Sequence, residues 1–363
     1  MVTPYLTIDL EKIEHNSRTI VSLCRESGVA VYAVTKAVCG HPQVAKAMLR
    51  GGAVGIADSR FENIRRMQRA GIDADYLLLR IPPLSAVDEV VCLAGRSLNS
   101  ERAVLTALSA AAARVGRIHE VILMVDLGDL REGVWPDELI PLTKAVQKLS
   151  ALRLVGIGCN LACFAGVEPS RENMNRLVTL AAEVEHTCGI TLETVSAINS
   201  SGLNLLVQGE MPQRINQARI GEGILLGRET IQRKPWPNTH QDAFLLHAEI
   251  IELKRKPSLP IGRRGEDAFG GRPKFSDAGE RLRALLNVGR EDVDISGITP
   301  LDPLLQLVGA SSGYLVVDVT DSTRPHQVGD TLSFALNYSA LLAVMTSEYV
   351  KKVPLVKSSE GMV

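Results

Sequence analysis

The sequence predicts an α/β protein: a (β/α)8 TIM-type barrel followed by a smaller C-terminal β-domain. Three observations carry this. Short apolar runs alternate with helix-period stretches, roughly eight times over about 230 residues, as a closed parallel barrel requires. The alternation stops at Arg233 to Asn238, RKPWPN, and only strand-like runs follow. No Gly-x-Gly-x-x-Gly follows the first strand, which disfavours an open dinucleotide-binding sheet.

The chain opens with a strand at Tyr5 to Ile8 and an amphipathic helix from Leu10 to Ser27. Ala30 to Gly40, AVYAVTKAVCG, begins as an apolar run that reads as a buried parallel strand. Val44 to Leu49 has helical period. Val54 to Ala57 is a strand, Asp58 an N-cap, and Arg60 to Ala70 a basic helix. Further strands are predicted at Tyr76 to Arg80, around Leu98, and at Val121 to Asp126, Leu152 to Cys159, Glu193 to Ile198 and Ala218 to Leu226. An alanine-rich helix spans Ser100 to Val115. The barrel is assigned to 9–234 and the β-domain to 235–363, joined by 1–8. Its predicted strands are Ala248 to Leu253, Leu282 to Val288, Tyr314 to Val319 and Thr331 to Leu336, with an exposed glycine-rich loop at Lys256 to Arg272.

Composition narrows the function classes. The 363 residues are 45% hydrophobic and 22% charged, which is globular composition. A net charge of -1 shows no footprint for nucleic acid. The start, MVTPYLTIDLEKIEHN, has no basic stretch leading into an apolar one, and no apolar run reaches membrane-spanning length. Six scattered cysteines suit buried thiols in a reducing compartment, so a cytoplasmic location is expected. Cys159 and Cys163 lack the spacing and partners of a zinc site, and no metal is expected.

In a barrel, chemistry gathers at the carboxyl ends of the strands. Lys36 closes the first core strand; a lysine there can form an imine with a carbonyl, or simply reach solvent. Asp126 to Gly133 follows one strand and contains Arg131. Asn160 follows another. Asn199-Ser200-Ser201-Gly202 and Arg219-Ile220-Gly221-Glu222-Gly223 follow the last two and offer hydroxyls and backbone amides for a phosphate. Singly, these are ordinary turns and a salt-bridge arginine. An imine-forming lysine and a phosphate cradle in one barrel mouth suggest pyridoxal phosphate.

These motifs resemble the alanine racemase-like, fold-type III pyridoxal phosphate enzymes, and within them the ornithine racemase group. TIDLEKIEHN, VTKAVCG, ADSRFEN, MVDLGDLREG, NLACF, INSSG, ARIGEGILLG, GASSGYLVVDVTD and LNYSALLAVMTS carry the match over nearly the whole chain. The resemblance implies that Lys36 holds the cofactor and serves as one acid/base. It implies that Arg131 approaches the cofactor's phenolic oxygen and the substrate carboxylate, and that Asn160 packs on the pyridine ring. Ser200, with Asn199 beside it, and the backbone of Gly221 and Glu222 would bind the phosphate, Arg219 would face the pyridine nitrogen, and Tyr338 would reach the phosphate. Ser312 would lie in a loop that reaches the partner's site, so a homodimer with shared active sites is expected.

The sequence departs from the alanine racemase pattern at two places. Arg290, in LLNVGREDVD, stands where a tyrosine base is expected, and Cys39-Gly40 replace a longer stretch with a phosphate-binding tyrosine. Arginine is a poor base, so Asp292 is the expected second proton carrier, with Arg290 orienting the substrate carboxylate or holding Asp292 ionised. The implied activity is racemisation of a small basic amino acid, ornithine first. The alternatives are an alanine or broad-specificity (lysine) racemase, a fold-type III decarboxylase, and a non-catalytic pyridoxal phosphate carrier.

Overall fold

The computed structural model describes residues 2–355. The chain divides into two compact units, residues 10–241 and residues 1–9 with 242–363. The seam falls after Gln241 rather than at 234, because residues 235–241 bond back to the barrel. Trp236 N donates to Gly227 O at 2.8 Å, and His240 N donates to Asn16 Oδ1 at 2.7 Å.

Strand β1 (Tyr5–Asp9) belongs to the second unit and leads into α1 (Leu10–Glu26). The barrel strands are β2 (Ala30–Val34), β3 (Gly55–Asp58), β4 (Tyr76–Leu78), β5 (Arg96–Asn99), β6 (His119–Met124), β7 (Leu152–Gly158), β8 (Thr194–Ile198) and β9 (Gln217–Ile220). They pair in parallel in chain order, and β9 closes on β2 through the Ala30–Gln217 to Ala33–Ile220 register. The runs are apolar because both faces are covered. Tyr32, Val34, Ala57, Leu77, Leu98, Ile122, Met124 and Val155 form one packed cluster, so the barrel is filled.

Helices α2 (Pro42–Arg50), α3 (Phe61–Arg69), α4 (Val87–Leu93), α5 (Arg102–Arg114), α6 (Leu139–Val146), α7 (Arg171–Cys188), α8 (Leu203–Val207) and α9 (Glu222–Leu225) alternate with the strands. In α1 the buried positions Ile13, Ser17, Ile20, Val21 and Cys24 recur at helical spacing. Helix α7 starts in a reciprocal capping box between Ser170 and Asn173 and ends at Gly189 with φ 65°.

Two local readings change. Asp58 does not cap α3; that N-cap is Arg60, and Asp58 is the buried last residue of β3. The stretch 218–226 is not one strand: β9 stops at Ile220, and α9 begins at Glu222.

The second unit is antiparallel at heart. Strands β10 (Phe244–Pro257), β11 (Glu280–Leu286), β12 (Ile298–Pro300), β13 (Gln306–Ala310), β14 (Leu315–Asp318) and β15 (Thr331–Leu336) take the order β12-β15-β10-β11-β14-β13. Strand β1 adds to β10, and the last strand, β16 (Lys351–Leu355), pairs with β1 in parallel. Helix α10 (Tyr338–Thr346), absent from the sequence expectation, starts where Asn337 Oδ1 accepts from Ala340 N at 2.9 Å. No helix among the described residues is long and apolar enough to cross a membrane.

Candidate active site

Lys36 opens a short 3-10 turn, residues 36–38, two residues beyond the end of β2. Its backbone is fixed from below. Thr35 is buried, its N donates to Ala57 O at 3.0 Å, and its hydroxyl donates to Asp58 Oδ2 at 2.7 Å. Asp58 Oδ1 accepts from Asn63 Nδ2 and Arg60 N, both at 2.9 Å. Burial pushes the Asp58 carboxyl above the usual range; the Thr35, Asn63 and Arg60 bonds act the other way. Behind the lysine the chain turns back through Cys39 (φ 51°) and Gly40 (φ 60°). A Cβ on Gly40 would lie 2.8 Å from Asn63 Cβ, so only glycine fits there.

Arg131 and Asn160 stand on the loops after β6 and β7. Asp126 Oδ1 shapes the first by accepting from Gly128 N at 2.8 Å and Leu130 N at 3.2 Å. Asp129, 1% exposed, ties the two loops together: it accepts from Cys163 N (3.1 Å), Phe164 N (2.9 Å) and Val167 N (3.2 Å). The next residue pair is ionic. Arg131 Nε meets Glu132 Oε2 at 2.6 Å and Nη2 meets Oε1 at 2.8 Å. This side-on fork fixes the guanidinium plane and leaves the Nη1 edge outside the pair.

Asn199 bridges β8 to the β7 loop. Its Nδ2 donates to Leu161 O at 2.8 Å and Asn160 Oδ1 at 3.3 Å, and its Oδ1 accepts from Ser201 N at 2.9 Å. Arg219, on β9, is 5% exposed; it donates to Ser196 Oγ and, at 2.7 Å, to Cys159 O. Burial pulls its pKa down, while Cys159, Glu132 and Cys163 pull it up. Burial pushes the Cys159 thiol itself up to about 12, so at neutral pH it is uncharged, and Glu132 is the carboxylate that favours the cation.

Ser200 Oγ accepts from Gly223 N at 3.0 Å, so its own proton is free to point at an anion. Gly221 passes close to β2: a Cβ there would sit 3.2 Å from Val34 Cβ. These residues fit a phosphate-bearing ring. They offer a hydroxyl and backbone amides with little side-chain bulk, a buried cation on β9, and a lysine just past the end of the neighbouring β2. The buried Asn160 Nδ2 has no hydrogen-bond partner among the described residues, which is the orphaned donor a ring or its substituent would cover.

One barrel mouth thus gathers Lys36, Arg131, Asn160, Asn199, Ser200, Arg219, Gly221 and Glu222, all from strand ends or the loops after them. The second unit gathers Arg290, Asp292 and Ser312 separately: Arg290 N donates to Ser311 O and Glu291 N to Ser312 O, both at 3.0 Å. A Cβ on Gly289 would lie 2.0 Å from Ser312 O, so glycine is required. Asp292, expected as a proton carrier, is instead committed to this turn. It is 5% exposed and accepts from Gly289 N at 3.1 Å and Ser347 Oγ at 3.2 Å. The Arg290 guanidinium lies 4.3 Å from the Phe269 ring centroid, held by the loop between β10 and β11. Tyr338 is the first residue of α10. The sequence pattern takes Asp58 for a helix cap and does not single out Asp129 as a clamp or Arg233, which pairs with Glu222. No local pattern in DSRF or DLRE marks the first two, and Arg233 reads as linker.

Such a barrel, with a lysine on one strand end and an anion cradle on its neighbours, defines an α/β-barrel enzyme with an antiparallel second domain. The chain belongs to the alanine racemase family: the model for the alanine racemase N-terminal domain matches residues 8–228. It is 41% identical over 350 residues to an ornithine racemase of Acetoanaerobium sticklandii, covering 96% of this chain and 99% of that protein. It is 38% identical over 356 residues to a lysine racemase of Thermotoga maritima, covering 97% and 99%. Its fold matches a crystal structure of alanine racemase from Streptomyces lavendulae with a TM-score of 0.76 at 19% identity, covering 99% of this chain and 98% of that one.

Proposed function

We propose that the protein is a pyridoxal phosphate-dependent racemase that interconverts L- and D-ornithine. The observation that carries this is the barrel mouth itself, in a chain that aligns end to end with racemases named for two diamino acids. Lys36 would hold the cofactor, with Ser200, Asn199 and the Gly221 and Glu222 backbone as its phosphate ligands. Asn160 would lie against its ring. When bound, the cofactor supplies the electron sink that acidifies the α-carbon.

The protein's own residues then decide the outcome. Arg131, pre-oriented by Glu132, presents its Nη1 edge to the substrate carboxylate. Lys36 Nζ takes or returns the α-proton on one face. Arg219 is a fixed cation, which disfavours protonation of a basic ring nitrogen placed against it and so limits side reactions. The enzyme would act as a homodimer in which Ser312 and Arg290 serve the partner's barrel. It would act in the cytoplasm, which the six free cysteines support.

Chiral chromatography after incubation with a panel of L-amino acids tests the activity. Ornithine should racemise fastest. Faster turnover of lysine favours that alternative, and absence of any D-product refutes the reading. Borohydride reduction should fix the cofactor on the peptide containing Lys36; fixation on another lysine refutes that assignment.

A further inference from the structure

Glu222 places a carboxylate at the turn where the phosphate is expected. It directly follows Gly221 and begins α9, and its side chain is 11% exposed. A phosphate dianion at this turn would meet a like charge in a poorly solvated setting. Something must neutralise it. The structure supplies Arg233, whose Nη1 bonds Glu222 Oε1.

Arg233 does not arrive there by a regular element. It is a non-glycine residue in the left-handed region, φ 62°, a conformation that persists only where surroundings impose it. The imposing group is Glu229, 6% exposed. Its Oε1 accepts from Gln232 N (2.8 Å) and Lys234 N (2.9 Å), and its Oε2 from Ile231 N (2.8 Å). The backbone closes with Glu229 N donating to Lys234 O at 3.0 Å, and Arg228 Nη1 donates to Arg233 O at 3.0 Å. A buried carboxylate thus winds residues 229–234 into a tight loop whose tip presents Arg233.

We propose that Arg233, presented by the Glu229-centred loop, is the counter-ion that lets the Glu222 carboxylate stand in the phosphate cradle, and so a positioning residue for the cofactor's phosphate. Burial raises the Glu222 pKa, Arg233 and Lys36 oppose this, and Glu229 adds to it. The proposal rests on the pyridoxal phosphate reading and deepens it.

The test is titration of the cofactor-stripped, full-length protein with pyridoxal phosphate and, in parallel, with pyridoxal, followed by absorbance. Arg233→Ala should weaken pyridoxal phosphate about 10- to 100-fold, less than the cost of breaking a fully buried pair because Arg233 itself is 59% exposed, and leave pyridoxal unchanged. Glu222→Gln should bind pyridoxal phosphate at least as tightly as wild type. The double variant should recover most of the loss, and Arg233→Lys should stay near wild type. The proposal is overturned if Arg233→Ala binds like wild type, if Glu222→Gln does not rescue it, or if Glu222→Gln alone binds more weakly. Loss in Arg233→Lys equal to that in Arg233→Ala assigns the effect to loop shape and overturns it too. If Arg233→Ala does not fold, Glu222→Gln and Arg233→Lys still decide. A wild-type chain that takes up no pyridoxal phosphate and traps nothing on Lys36 instead removes the functional reading, and the proposal with it.

Discussion

Replacing Asp129 by alanine deletes one acceptor and releases three amides, those of Cys163, Phe164 and Val167, at 3.1, 2.9 and 3.2 Å. A hydrogen bond to a charged group contributes about 1.5–3 kcal/mol when its loss leaves a buried orphan. Cys163 and Phe164 are exposed residues, so water replaces part of each bond and about 1 kcal/mol apiece is the better figure. The carboxylate itself is 1% exposed, and its removal relieves some desolvation cost. The net is about 2–3 kcal/mol, felt as easier opening of the loop after β7 and not as global unfolding. At 1.4 kcal/mol per decade this is about 30- to 150-fold in the opening constant. Native-state hydrogen exchange reads it directly. The three amides should exchange faster by that factor, while amides within β6, such as Ile122, keep their protection. Asp129→Asn, which retains an acceptor oxygen, should fall between. Unchanged exchange at 163, 164 and 167 refutes the clamp; equal acceleration everywhere makes Asp129 a global core residue instead.

Four further outcomes are expected. Arg219→Glu should slow racemisation and yield a keto-acid by-product; a wild-type rate and product ratio mean Arg219 does not govern the reaction. Asp292→Asn should lower the melting temperature and affect both enantiomers alike, whereas a one-sided loss of about 10²-fold or more in α-deuterium washout restores it as a proton carrier. Glu132→Gln should reduce the preference for ornithine over norvaline, its uncharged analogue; an unchanged ratio excludes Glu132 from side-chain recognition. His119, hydrogen-bonded to Ser97 Oγ at 2.7 Å, has its pKa lowered by burial from 6.5 to about 4. Below pH 6.5 the unfolded histidine takes a proton that the folded one refuses, so stability is full above that pH and is lost as pH falls toward 4. The fall is worth about 3 kcal/mol, and urea midpoints of His119→Gln at pH 7 and 4.5 should show a shallower loss than wild type.

The barrel was legible because its strands are buried on both faces and so read as apolar runs, each ended by turn residues. The strand ends carrying Lys36, Arg131, Asn160, Ser200 and Arg219 followed from that pattern. What escaped depends on contacts far apart in sequence. Asp58 follows a strand and precedes a helix, as an N-cap does; only the β2–β3 pairing shows that Thr35, 23 residues earlier, is its partner. Arg233 precedes two prolines and reads as linker, because its partner Glu222 lies 11 residues back. Helix α10 was the exception: Asn337 before an apolar stretch is a local signal, overlooked because strands surround it.

The acids of the barrel mouth fall into two groups by what their oxygens do. Asp58, Asp126, Asp129 and Glu229 accept from backbone amides. Those bonds compensate their burial, and breaking one to greet a ligand would unwind the loop it holds. Glu132 and Glu222 are paired with arginines instead. The Arg131–Glu132 pair is partly exposed, 39% and 19%, and a pair in that setting is worth only about 0–1 kcal/mol, so Glu132 keeps acceptor capacity for a second cation without releasing Arg131. Under the proposed function, alanine would offer a carboxylate to the Nη1 edge and nothing to Glu132, whereas a diamino acid would offer a carboxylate to the one and an ammonium to the other. The pair would then favour basic substrates and separate two diamino acids only by reach.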